Sequence, residues 1–233
     1  GSLLAARAEA LAAAGLQRVS VSLDALDDAV FARLNDVDFP VARVVEGMRA
    51  AERAGLLPIK VNMVVRRGLN EDSILPMARF AREHGYTLRF IEYMDVGHTN
   101  GWSLDEVVPS AKVVATIDAE MPLEPVEPLY PGEVATRWRY RDGGGEVGVI
   151  SSVTEPFCGA CTRARLTAEG SLYTCLFGTT GIDLREPLRA GADDETLAAL
   201  LASVWSRRAD RYSELRSAAT AGLPKVEMSR IGG

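Results

Sequence analysis

Three cysteines and two arginines share one short stretch, PFCGACTRARLTAEGSLYTCLF, residues 156–177. Cys158 and Cys161 form a Cys-x2-Cys pair, and Cys175 follows across a hairpin-like segment. A Cys-x2-Cys turn sets two thiolates where both can face one metal, and a hairpin can return a third beside them. A closed zinc site needs a fourth ligand. The two histidines, His84 and His98, fall in no tidy zinc spacing. An iron–sulfur cluster usually takes four cysteines, so three leave one iron open to a further ligand. The plain alternative is three buried thiols that only pack. Arg163 and Arg165 stand two apart on an expected strand, which points both from one face. Paired guanidiniums suit phosphate oxygens, although a solvated strand face is the commoner fate of such a pair.

The elements that must position these residues come in two styles. A helix over about 3–14 is expected to end at Gly15, and RVSVSL (18–23) reads as a strand. DDAVFARL and VARVVEGMRAAERA read as helices, IKVNMVV (59–65) as a strand, ILPMARFAREH (74–84) as a helix capped by Asp72 or Ser73, and LRFIEYM (88–94) as a strand. Strands alternating with helices imply βαβ units and a parallel sheet, and three strands are too few to close a barrel. On IKVNMVV, Lys60 and Asn62 share one face and Ile59, Val61 and Met63 the other. A lysine there either serves a site or snorkels from an edge. Ser20 and Ser22 share a face and lead into Asp24; Arg89 opens the third strand and Glu92 lies within it. Ligands of α/β folds gather at the carboxyl ends of strands, where Ser22, Asp24, Tyr93, Met94 and Asp95 fall.

Beyond about residue 97 the pattern changes. One more helix is expected near 110–119, then the proline-rich MPLEPVEPLYPGE, then two hairpins: VATRWRY with EVGVISSV, and RARLTAEGSLYTCL turning at Glu169-Gly170. A helix follows at about 193–208, with Asp193 or Asp194 near its start. This divides the chain into an α/β portion, 1–97, and an α+β portion, 98–233.

Bulk properties narrow the function. A net charge of −6 argues against non-specific binding to nucleic acid or to a membrane surface, so any basic site is local. The alanine-rich opening is broken by Arg7 and Glu9 and reads as an amphipathic helix rather than a signal peptide. Three clustered cysteines in 233 residues are no disulfide framework and point to a metal or redox site in a reducing cytoplasm.

Several stretches together resemble the GTP 3′,8-cyclase family, radical S-adenosylmethionine enzymes of molybdenum cofactor biosynthesis. They are SVSLDAL, KVNMVVRRGLNED, LRFIEYMDVG, PFCGACTRARLTAEG, YTCLF and the final IGG. The resemblance runs from about residue 3 to the last residue. It implies the later part of an incomplete (β/α)6 TIM-like barrel, followed by an α+β domain with antiparallel hairpins. It implies that Cys158, Cys161 and Cys175 hold a second [4Fe-4S] cluster whose open iron takes the base of GTP. Arg163, Arg165 and Lys60 are then GTP contacts, and Ser22, Arg89 and Met94 contacts to S-adenosylmethionine. Gly232 and Gly233 belong to a tail expected in the active site. The implied reaction begins with reductive cleavage of S-adenosylmethionine to a 5′-deoxyadenosyl radical. That radical takes the 3′ hydrogen of GTP, and the 3′ carbon then bonds to C8 of guanine. The family is expected to form homodimers, with no nucleic acid and no membrane involved.

One departure bears on this. The family's N-terminal Cys-x3-Cys-x2-Cys motif, which holds the radical-generating cluster, does not occur in these 233 residues. The chain resembles the C-terminal half to two-thirds of the family and is expected to be inactive by itself. Two other readings stand beside the enzyme: a non-catalytic iron–sulfur and nucleotide-binding module, and a structural zinc protein.

Overall fold

The computed structural model describes residues 1–35, 39–97, 101–217, 225–228 and 230. Helix α1 (Ala8–Ala13) leads to strand β1 (Val19–Ser22), followed by α2 (Asp28–Asn35) and α3 (Val41–Arg53). Then come β2 (Ile59–Val65), α4 (Ile74–Glu83), β3 (Thr87–Glu92), α5 (Ser110–Asp118), β4 (Leu123–Val126), β5 (Thr136–Tyr140) and β6 (Glu146–Ile150). The remaining elements are short: β7 (Arg165–Leu166), β8 (Ser171–Tyr173), β9 (Ile182–Asp183) and α6 (Arg185–Arg189), before α7 (Asp194–Ser206).

A six-stranded mixed sheet has the order β1-β2-β3-β6-β5-β4, and a separate antiparallel sheet has the order β7-β8-β9. β1, β2, β3 and β6 run parallel, while β5 and β4 add antiparallel. The fold is therefore α/β with a mixed sheet and a distinct antiparallel one. Contacts group the chain into two compact units: Gly1–Tyr93 with Asp105–Glu155, and Met94–Leu104 with Pro156–Gly233.

The first unit is built on alternation. Ile59, Val61, Met63 and Val65 of β2 are at most 1% exposed, while Lys60, Asn62 and Val64 are half-buried. The buried set packs with Val44, Met48 and Ala51 of α3, Met77, Ala78 and Ala81 of α4, and Val113 and Ile117 of α5. These helices cover one face of the sheet and leave the polar residues on the other. Glycine ends two of them: Gly55 and Gly85 take φ of +76° and +67°. The next amides, Leu56 and Tyr86, reach back to the carbonyls of Ala51 and Ala81, the closing bond of a left-handed helix cap.

Buried carboxylates tie the carboxyl ends of the strands to the following segments. Glu92, 2% exposed, accepts from the amides of Ser110, Val153 and Thr154 at 2.8 Å each and from Thr154 Oγ1 at 2.5 Å. Ser110 opens α5, where free N–H groups favour a negative charge. Asp24 accepts from the Val64 amide at 2.8 Å. Asn70, 1% exposed, donates to the carbonyls of Asp24 and Val64 and accepts from the Arg66 amide.

Several expectations change in detail. α1 is shorter than 3–14, its first part being turns. α4 has no side-chain cap from Ser73 and is entered through a 3-10 turn, Glu71–Ser73. Asp193 caps α7, accepting from the Thr196 amide at 2.9 Å. The third strand stops at Glu92, so Tyr93 and Met94 lie past it. Arg163 lies outside β7, which begins at Arg165. Part of the proline-rich stretch is a strand: β4 carries Pro125 at the sheet edge, where a missing N–H breaks no ladder.

Glu92→Gln turns an amide NH2 toward backbone N–H donors that now meet a carboxylate oxygen. We expect a loss of roughly 1.5–3 kcal/mol, read as a lower urea midpoint with an unchanged m-value.

Candidate functional site

In the first unit the polar face of the parallel strands forms a built surface. The register places Ser22, Asn62, Arg89 and Gly148 in one row across β1, β2, β3 and β6. Ser20, Lys60 and Thr87 form the next row. Arg89 Nη2 donates to Ser20 Oγ at 3.2 Å. Asn62 Oδ1 and Arg89 Nε are buried with no hydrogen-bond partner among the described residues. Buried polar atoms usually find partners, so these two are suited to a polar ligand. Burial lowers the Lys60 amine from its ordinary value, and the charges of Arg89 and Arg18 lower it further. Gly148 matters by its size: a Cβ there would stand 3.3 Å from Arg89 Cγ and 3.3 Å from Ala135 Cβ. A groove of about 510 Å³ runs along β1, lined by Ser20 and Ser22 with Leu4, Arg7 and Leu11.

The second unit holds the sulfur chemistry. Cys158, Cys161 and Cys175 are all free and half-buried. Cys158 and Cys161 bound a single 3-10 turn, Cys158–Ala160. Arg163 Nε donates to Cys161 Sγ at 3.3 Å, and its guanidinium lies 5.0 Å from the centre of the Phe157 ring. Burial pushes the Cys161 thiol up. The Arg163 amide and guanidinium, with the charge of Arg208, outweigh burial and bring it below the usual thiol value. Cys175 goes the other way: burial raises it, the Phe177 amide opposes, and the charges of Asp210 and Cys158 add to the rise. Arg165 is lowered by burial and by Arg163, and is supported by the charges of Cys175 and Cys161. The two arginines thus sit within electrostatic reach of the thiols, although not on one continuous strand. Among the described residues, no three His, Cys, Asp or Glu side chains are gathered into a ready-made metal site.

Two features of this unit escaped the sequence reading. Arg208 bonds to the backbone of both cysteine segments: Nη1 to the carbonyls of Cys158 and Cys161 at 3.4 and 3.0 Å, and Nε to the carbonyl of Thr174 at 3.3 Å. The other is a buried ion network. Asp95, which follows the half-buried Met94, accepts from Arg216 Nε and Lys225 Nζ at 2.8 Å each and from Tyr212 Oη at 2.5 Å. Tyr212 stacks on Phe177 with ring centres 4.4 Å apart, and the Arg216 guanidinium lies 5.0 Å from the Phe177 ring centre. No local motif marks Arg208 or Arg216, because their partners are distant in sequence. Gly232, Gly233 and His98 lie outside the described residues.

Comparison with known proteins bears on both units. The family model described as "Radical SAM superfamily" matches residues 1–81, and "Molybdenum Cofactor Synthesis C" matches residues 86–214. The chain is 50% identical to the GTP 3′,8-cyclase of Acidothermus cellulolyticus, over 100% of this chain and 71% of that protein. It is 49% identical to that of Xanthomonas axonopodis pv. citri, over 100% and 69%. It is 48% identical to that of a Synechococcus species, over 97% and 67%.

The Asp95 network generates a stability prediction with a sign. Burial raises the Asp95 carboxyl, but Lys225, Tyr212 and Arg216 outweigh it and hold it below the usual carboxylate value. Its contribution is complete above the unfolded value, near 3.9, and is lost as pH falls through the lower folded value. Asp95→Asn leaves two buried cations without their carboxylate, a loss of about 3–5 kcal/mol. Urea titrations at neutral pH and between about pH 2 and 4 check both parts. The variant loses stability at neutral pH, and its acid dependence is shallower than that of the parent chain.

Proposed function

The chain belongs to the GTP 3′,8-cyclase family of radical S-adenosylmethionine proteins, and from that premise we propose that it serves molybdenum cofactor biosynthesis by acting on GTP. The reaction is the conversion of GTP to (8S)-3′,8-cyclo-7,8-dihydroguanosine 5′-triphosphate, a lyase reaction. The observation that carries this reading is the block of three cysteines and two arginines, set in a chain whose whole length matches cyclases at close to half identity.

The donor set of the second unit fits an iron–sulfur cluster. It offers three free, half-buried thiols, with Arg163 and Arg208 favouring the thiolate of Cys161. Because the side chains are not already gathered for a metal, binding and local ordering are coupled, as in other small metal-held structures. Cys158, Cys161 and Cys175 would hold a [4Fe-4S] cluster, which with three protein ligands would offer an iron to the base of GTP. Arg163 and Arg165 bind the triphosphate through charge-assisted hydrogen bonds. Lys60 is a further GTP contact in this reading. Its lowered value reflects burial, and an anionic ligand restores its charge preference.

Ser22 and Arg89 share one row of the polar face, and with Met94 they contact S-adenosylmethionine. Asn62 stands between Ser22 and Arg89 with an unpartnered carbonyl oxygen, in keeping with a ligand on that face. Helices on one face of β1, β2, β3 and β6 and polar residues on the other support the incomplete (β/α)6 barrel of the family. All three cysteines within these 233 residues are assigned to the substrate cluster. The radical-generating cluster therefore calls for cysteines outside this stretch, and the stretch is inactive without them. The assembly in this reading is a homodimer.

Anaerobic reconstitution with iron and sulfide, followed by electron paramagnetic resonance of the reduced protein, tests this reading. A [4Fe-4S] signal that shifts when GTP is added supports it. A colourless protein with stoichiometric zinc and no sulfide overturns it in favour of a structural zinc site. The arginine pair has its own test. Arg163→Ala with Arg165→Ala is expected to weaken GTP binding by roughly 100-fold or more, from the loss of hydrogen bonds worth about 1.5–3 kcal/mol each, and to leave guanosine binding nearly unchanged. Equal losses for the two ligands remove the phosphate role.

A further inference from the structure

We infer that Arg208 is a positioning residue for the three cysteines: one guanidinium fastens the Cys158–Cys161 turn to the segment that carries Cys175. The inference rests on the reading that these cysteines hold a cluster, and it adds a residue that the cysteine–arginine motif does not contain.

Arg208 follows α7, and its amide bonds to the Trp205 carbonyl at 3.2 Å. Its side chain is 12% exposed. Nη1 donates to the carbonyl oxygens of Cys158 and Cys161, the residues that bound the 3-10 turn. The Cys158 carbonyl also accepts from the Cys161 amide at 3.3 Å, so the guanidinium reinforces a turn that is already closed. Nε donates to the carbonyl of Thr174, which immediately precedes Cys175. Asp210 fixes the other end of the clasp. Its Oδ2 lies 3.3 Å from Arg208 Nε and accepts from Thr174 Oγ1 at 2.6 Å. The guanidinium lies 5.6 Å from the centre of the Trp205 ring.

Each of these three bonds from Arg208 to the cysteine segments goes to a backbone carbonyl, so the clasp holds the segments while making no claim on the sulfurs. Arg163 differs in this respect, since it donates to a sulfur. A planar fork spreads its donors over separate nitrogens and so spans two chain segments, here through Nη1 and Nε. A lysine brings the same charge as a single compact ammonium.

The test uses the 233-residue chain and three variants, Arg208→Met, Arg208→Lys and Cys175→Ser, each reconstituted anaerobically with iron and sulfide. The readouts are iron and sulfide per chain, the rate of iron loss to a chelator, and the electron paramagnetic resonance spectrum after reduction. Far-ultraviolet circular dichroism reports whether each variant is folded. Arg208→Lys keeps the charge but not the fork. It is expected to lose iron roughly 10- to 100-fold faster, the range found when an outer partner of a metal ligand is removed, and to show a shifted spectrum with unchanged circular dichroism. Arg208→Met is expected to bind as little iron and sulfide as Cys175→Ser. If Arg208→Met fails to fold, the lysine variant decides alone. Parent-like iron retention and spectrum in Arg208→Lys, with Cys175→Ser depleted, overturn the clasp and leave the cluster assignment standing. A parent chain that binds iron no better than Cys175→Ser overturns both.

Discussion

What Lys60, Asn62, Ser22 and Arg89 can do depends on the pairing register of β2. Its side chains alternate with a period of two, so a slip by one residue would exchange its faces. Ile59, Val61, Met63 and Val65 would meet solvent, and Lys60 and Asn62 would enter a core already filled by Met48, Met77 and Ile117. Burial of four large apolar side chains, each worth roughly 1.5–3 kcal/mol, fixes that register. The polar face is thereby positioned by the apolar one. Gly148 extends the constraint to β6, where backbone in place of a side chain leaves room for Arg89.

The second unit is held on different terms. Among its described residues, Phe177 is the buried large apolar side chain, while Asp95, Thr167 and Lys225 are buried polar ones. Charge and aromatic contact do the work that apolar area does in the first unit. Asp95 joins two cations and a phenol, Arg216 and Tyr212 pack on Phe177, and Arg208 joins the cysteine segments. A unit with so little apolar core suits a metal cluster as a covalent staple.

Two buried aspartates show how environment selects the sign of a shift. Asp24 is raised: burial dominates, and only the neutral donors Val64 and Asn35 oppose it. Asp95 is buried at 1% yet lowered, because two cations face it. The same contrast separates Cys161, beside Arg163, from the more enclosed Cys175. Neighbouring charge, not depth alone, decides the direction in which each of these groups moves.

Much of this was legible in the chain. Alternating apolar periods gave the strands and helices of the first hundred residues, because a period of two or of 3.6 is written locally. The cysteine–arginine block gave the candidate chemistry through residue type and spacing. Short elements were not legible: β9, α6 and the proline-bearing β4 are too brief or too irregular to show a period. Nor was the parallel pairing of β6 with β3, which joins strands more than fifty residues apart and depends on the packing of α5 rather than on either strand. The sequence by itself determined which side chains carry sulfur, cation and amide, and which face of each strand is polar. Only the tertiary structure decided that Ser22, Asn62 and Arg89 form one row, and that Arg208 and Asp95 organise the second unit. The physical reason is that hydrogen bonds and ion pairs close between groups tens of residues apart, and no local periodicity encodes them.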